Sequence, residues 1–158
     1  MFTFHFSLPS KGMSAEGGDR LPITRGELYV ETGDGYFPCL GWGDRLLSVI
    51  SHWIGNTIIM LDPNYGEQTV TNYFMNGPYF FDLQKIGKDR INIRFMRRIG
   101  ESEAREEIPS LTIAFAEYCD ALLSLTESII RDPGFQWLEK EQTRINFERS
   151  VAKLRASL

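Results

Sequence analysis

The stretch from residue 68 to residue 98 constrains this chain more than any other. It carries three runs rich in aromatic and β-branched residues, EQTVTNYFM, PYFFDLQKI and RINIRFMRR, separated by Asn-Gly-Pro and by Gly-Lys-Asp. Asn-Gly is the strongest short-range hairpin signal, because both residues tolerate the positive φ that a tight hairpin turn needs, and Gly-Lys-Asp fits a short turn. In the last run Ile91, Ile93 and Phe95 face one way while Asn92, Arg94 and Met96 face the other. Alternation with period two is the pattern of a half-buried strand. The spacing predicts a three-strand antiparallel meander over about 68–98, and the rest of the chain has to cover its apolar face.

A second β region opens the chain. Phe2, Phe4, Phe6 and Leu8 alternate with Thr3, His5 and Ser7. PITRGELYVET reads as its partner, with Leu28 and Val30 inward, and the intervening PSKGMSAEGGDR reads as a long, mobile hairpin connection. From 44 to 54 the pattern turns helical: Asp44 is placed as an N-cap, Leu46, Leu47, Ile50, Trp53 and Ile54 make the apolar face, and Gly55 is the expected C′ residue. NTIIMLDPN fits either a strand or a continuation of that helix. After the meander, IGESEAREE reads as a charged loop and Pro109 as a helix start, followed by the stripe Leu111, Phe115, Tyr118, Leu122, Leu125 and Ile129. Asp-Pro-Gly at 132–134 stops that helix. A second helix, about 135–156, has a thinner stripe and is expected to ride on the first as an αα-hairpin. The expectation is a single α+β domain over residues 1–158: an antiparallel β-sheet with helices packed mainly on one face.

Length and composition agree with this. The 158 residues suit one domain, and the 13% aromatic content, chiefly eleven Phe, calls for an aromatic-rich core. The formal charge of −4 argues against non-specific nucleic-acid binding, which needs a basic face. No stretch approaches the roughly 20 apolar residues of a membrane span. The opening has neither a basic n-region nor a continuous apolar run, so it does not read as a signal peptide. With two cysteines and no disulfide framework, the expected location is the cytoplasm.

Little in the chain reads as chemistry. FPCLGWGDRLLSVISHW brings Cys39, Asp44 and His52 into one short stretch. A helix rising about 1.5 Å per residue puts about 12 Å between Asp44 and His52, out of direct reach. Cys39 is expected to be a small packed thiol, Cys119 a core residue, and His52 a residue of the polar helix face. His5, Cys39, His52 and Cys119 match no zinc spacing, no glycine pair stands in a nucleotide-binding context, and no cofactor is expected. Glu27, Glu31, Asp34 and Asp82 could pair in space as hydrolase carboxylates. Arg94, Arg97 and Arg98 form a small basic cluster, with Arg94 and Arg98 on one strand face. Glu101, Glu103, Glu106 and Glu107 crowd like charges into one segment and are the candidate landing site for a basic protein.

FPCLGWGDRLLSVISHWI followed by YFMNGPYFFDLQ resembles small bacterial immunity proteins of polymorphic-toxin and contact-dependent-inhibition systems. The resemblance rests on Phe37, Pro38, Trp42, Asp44, Trp53, Gly77 and Pro78. It implies stoichiometric, non-catalytic inhibition of a protein partner, a cognate toxin bound in the cytosol; the charge of Glu101–Glu107 and of the acidic C-terminal half would suit a basic toxin domain. An adaptor with another partner, and an enzyme or small-ligand binder with a site invisible in sequence, are the two rival classes. Oligomeric state is open.

Overall fold

The computed structural model describes residues 1–8, 26–64 and 68–158. The expected connection between the first two strands lies outside the described residues. The element order is β1 (Phe2–Ser7), β2 (Gly26–Thr32), β3 (Gly35–Phe37), β4 (Gly43–Asp44), α1 (Leu46–Leu61), β5 (Thr69–Tyr73), β6 (Tyr79–Ile86), β7 (Arg90–Arg98), β8 (Ala104–Ala114), α2 (Phe115–Arg131), a 3₁₀ turn (Pro133–Trp137) and α3 (Glu141–Ser157). The fold is α+β, and its strands form two antiparallel sheets. In the first, β2 is central, with β1 on one side and the short β3 and β4 on the other. The second runs β5-β6-β7-β8 in chain order.

The expected meander is present as β5, β6 and β7, with Phe81 opposite Phe95 and Leu83 opposite Ile93. It has a fourth strand where the sequence suggested a loop and a helix start. Residues 104–114 form β8, which pairs Ile113 with Ile91, Leu111 with Ile93 and Ile108 with Phe95. Pro109 is tolerated because β8 is an edge strand, where a missing N–H breaks no ladder bond on the open side. Register shifts between Ile93 and Met96 absorb the misfit, and past them Met96 is buried rather than facing outward with Arg94. The apparent helical step from Leu111 to Phe115 is therefore a strand running into a helix. The helix proper starts at Phe115, whose N–H donates to the Asp89 carbonyl at 2.7 Å.

The first helix also differs from expectation. α1 runs through Gly55 to Leu61, because Thr57 and Met60 continue its buried face. It stops where Pro63 follows Asp62, a residue whose N–H still reaches the Ile58 carbonyl. Asp44 is not its N-cap: Arg45 holds that place without a side-chain cap bond. Asp44 instead lies 1% exposed in β4, where its carboxylate accepts from the Arg45 N–H (2.8 Å), Trp42 Nε1 (3.3 Å) and the Asn76 N–H (3.2 Å). The Asn76 side-chain amide also donates to the Gly43 carbonyl. These bonds join the first sheet to the β5–β6 turn. The single helix expected over 135–156 is divided into the 3₁₀ turn and α3 by a break at Glu139, which has φ +52°. That bend sends α3 chiefly onto α1, with a smaller contact to α2, instead of the simple hairpin on α2.

One aromatic cluster welds the layers. Trp53 of α1 is fully buried and meets Phe4 of the first sheet, Phe81 of the second and Phe74 between them. Phe37 of β3 contacts Phe74, Tyr79 and Phe95. Below them Asn72, itself buried, donates to the Tyr118 hydroxyl and accepts from Asn56. No helix among the described residues is long and apolar enough to cross a membrane.

Two glycines should respond oppositely to alanine. Nothing lies within 4 Å of a Cβ built at Gly55, an exposed position inside α1, so Gly55→Ala should stabilise by about 0.5–1 kcal/mol in urea unfolding. Gly77 has φ +75° and a Cβ there would sit 3.1 Å from the Trp42 ring, so Gly77→Ala should destabilise by about 1 kcal/mol or more.

Candidate functional site

The pattern of β2 dictates the most distinctive surface of the molecule. Gly26, Leu28, Val30 and Thr32 point into the core, so Glu27, Tyr29 and Glu31 must stand on the outer face. Antiparallel pairing sets His5 opposite Tyr29 and Ser7 opposite Glu27. The β2–β3 turn, held by the Thr32 hydroxyl accepting from the Asp34 N–H, sets Tyr36 opposite Glu31.

The result is a line of rings across three strands. His5 stacks on Tyr29 with centroids 5.0 Å apart, and Tyr36 meets Tyr29 edge-on at 5.8 Å. His5 Nε2 donates to Glu31 Oε2 at 2.7 Å, which ties one carboxylate to the ring line. Glu27, on the other side of Tyr29 along the strand, is exposed and makes no hydrogen bond or ion pair with a described residue. Burial, then Glu27, Tyr36 and Glu31, hold the Tyr29 hydroxyl pKa above its ordinary value. The described residues 1–8 and 26–44 contain Glu27, Glu31, Asp34 and Asp44 and not one Lys or Arg. An aromatic strip flanked by unbalanced carboxylates suits a cationic surface, because the rings offer rigid contact area and the charges steer approach.

The residues singled out in the sequence fall elsewhere. Glu101 and Glu103 stand exposed at the turn between β7 and β8. Glu106 and Glu107 lie on β8 and are already engaged. Glu106 accepts from the Ser110 N–H at 2.7 Å, and Glu107 pairs with Arg105 at 3.1 Å and Arg97 at 3.9 Å. The four therefore do not act as one patch. Asp82 accepts from the Thr71 hydroxyl on the second sheet and does not join Glu27, Glu31 and Asp34. Arg94 and Arg98 are exposed, whereas Arg97 lies against the Tyr79 ring.

Cys39, Asp44 and His52 likewise take separate partners. Cys39 is exposed, contrary to the packed thiol expected, because it sits in the turn beyond β3. His52 donates to the Thr71 carbonyl at 3.2 Å and lies near the Tyr73 ring, at the surface seam of α1 and β5. Cys119 is core as expected, and burial pushes its thiol up to about 12. Among the described residues, no group of three or more His, Cys, Asp and Glu is placed to hold a metal ion. A shallow cavity of about 290 Å³ is lined by Asp44, Arg45, Met75 and Asn76, next to the joint between the sheets.

The ring line was readable only in part. The outward set Glu27-Tyr29-Glu31 follows from alternation, but its union with His5 and Tyr36 depends on register. Comparison with protein-family models, with curated protein sequences and with solved structures gives no match to this chain.

The two thiols should separate cleanly. At pH 8 a thiol reagent should modify one cysteine per chain rapidly, Cys39, and reach Cys119 only on unfolding. The unfolded Cys119 thiol loses its proton near its ordinary value of 9.0 while the folded one holds it to about 12, so this contribution to stability is complete below pH 9 and declines above it. Cys119→Ala should flatten that decline in urea midpoints measured from pH 8 to 10.

Proposed function

We propose that this protein is a non-catalytic binding module, an immunity protein that neutralises a basic bacterial toxin domain in the cytoplasm. One observation carries the reading: the outer face of β1-β2-β3 presents His5, Tyr29 and Tyr36 between Glu27, Glu31 and Asp34 with no Lys or Arg among its described residues. Tight, specific interfaces rest on a few aromatic or Arg anchors inside a charged rim, and opposite charge raises the association rate. A toxin that acts on nucleic acid carries a basic cleft, so an acidic aromatic face is suited to cover it. The resemblance carried by Phe37, Pro38, Trp42, Asp44, Trp53, Gly77 and Pro78 points the same way. Glu101 and Glu103, at the far hairpin turn, add negative charge for longer-range steering.

The test is protection of cells. The reading predicts a toxin gene adjacent to this one, and co-expression with the toxin domain it encodes should restore growth. Glu27→Arg combined with Tyr36→Ala should abolish protection and weaken binding at least tenfold while leaving the thermal midpoint within a few degrees. Cys39→Ala and His52→Ala should protect like the parent. Full protection by the charge-reversed variant, or none by the parent, would refute the proposal.

A further inference from the structure

The chemistry of this face specifies what the partner must present. We infer that the partner docks an arginine here, its guanidinium seated in the corner between the rings of Tyr29 and Tyr36 and bonded to the Glu27 carboxylate. The inference rests on the binding-module reading and names the contact that module makes.

Three features carry it. The first is charge: Glu27 is exposed and unpaired among the described residues, on a sheet whose described residues include no basic side chain but His5. A cation arriving there displaces no ion pair among the described residues. The second is shape. Tyr29 and Tyr36 meet at an interplanar angle of 82°, and Tyr36 is 42% exposed, so ring surface of Tyr36 stays open to solvent at a right angle to Tyr29. A planar guanidinium stacks flat on such a face and is weakly hydrated, whereas an ammonium is a compact and strongly hydrated point charge. The third is rigidity. His5 stacks on Tyr29 from the far side and is itself held by Glu31 at 2.7 Å, so the central ring is fixed before any partner arrives. Rings that need no ordering lose less entropy on binding. Glu31 is already committed to His5 and Asp34 lies out in the β2–β3 turn, which leaves Glu27 as the carboxylate on β2 with no ion pair among the described residues. His5 and Glu31 act as positioning residues, while Glu27, Tyr29 and Tyr36 touch the cation.

The other polar clusters do not compete. The Glu106 and Glu107 carboxylates have intramolecular partners, and the cavity beside Asp44 has Arg45 on its wall, which repels a cation.

The experiment uses the full chain with labelled tyrosine rings and two small probes, N-acetyl-arginine N-methylamide and its lysine counterpart, titrated by NMR at low salt. The arginine probe should shift the Tyr29 and Tyr36 ring signals saturably, with millimolar affinity. The lysine probe should bind at least threefold more weakly. Glu27→Gln and Tyr36→Leu should each weaken the arginine probe at least fivefold, Tyr36→Phe should retain it, and Glu101→Gln with Glu103→Gln should leave it unchanged. Both altered side chains on the face are exposed, so the fold is expected to survive. No saturable shift at these rings, equal response to both probes, or indifference to Glu27→Gln would overturn the inference. A failed probe alongside protection that still depends on Glu27 and Tyr36 removes the arginine subsite but keeps the docking face. A successful probe alongside protection indifferent to them keeps the subsite and removes the toxin reading.

Discussion

The burial of Leu28 and Val30 is the constraint on which the rest depends. Both are fully inaccessible, and burying such side chains contributes about 1.5–3 kcal/mol each. Because strand side chains alternate, a slip of one residue would drive Glu27, Tyr29 and Glu31 inward and turn the apolar set out. Burying two carboxylates without partners costs far more than any hairpin turn could offset. The register is therefore held from inside, and the outer face follows from it. Gly26 tightens this further, since a Cβ there would fall 2.1 Å from a Leu46 methyl and 2.7 Å from the Ser7 carbonyl oxygen. The start of β2, the end of β1 and the first turn of α1 must fit together at a single residue.

The inner side of that sheet is tied to the second one by two kinds of bond. Phe37, Trp53, Phe74 and Phe81 supply area and edge-to-face contacts. Asp44 supplies direction, because a buried carboxylate with three donors admits few alternative arrangements. Trp42, Asp44 and Gly77, which the resemblance to immunity proteins singled out as separate motif residues, meet here: Trp42 donates to Asp44 and covers Gly77. Phe37 and Trp53 sit in the adjoining aromatic cluster. These residues explain how the scaffold is assembled. The proposed contact with a partner falls on different residues, on the opposite side of β2 and β3.

Local pattern made much of the fold legible. Alternation located β1, β2 and β7, Asn-Gly and Gly-Lys-Asp placed the hairpins, and the stripe from Phe115 to Ile129 located α2. What stayed hidden was set by tertiary context. β8 carries a proline and a run of charges, and only its place at the edge of β7 makes those tolerable. α1 passes Gly55 because packing of Thr57 and Met60 outweighs a propensity cost of about 1 kcal/mol. Glu139, in a left-handed conformation, sets the direction of α3, and nothing in its identity announces this. The candidate site was half legible: Glu27 and Glu31 were noted as carboxylates, but the rings between them became a set only through cross-strand register. The cluster from Glu101 to Glu107 illustrates the opposite error, since proximity in sequence conceals that Glu106 and Glu107 are satisfied within β8.

An acidic, aromatic sheet face is thus the product of ordinary core packing on its reverse side, and the proposed recognition calls for no movement of the scaffold. The most direct test of this claim is amide hydrogen exchange of the chain alone and in complex with the basic toxin domain proposed as its partner. The account predicts added protection confined to β1, β2 and β3, with little change in α1 or the β7–β8 hairpin. Protection centred on residues 101–114, with none on the first sheet, would contradict it.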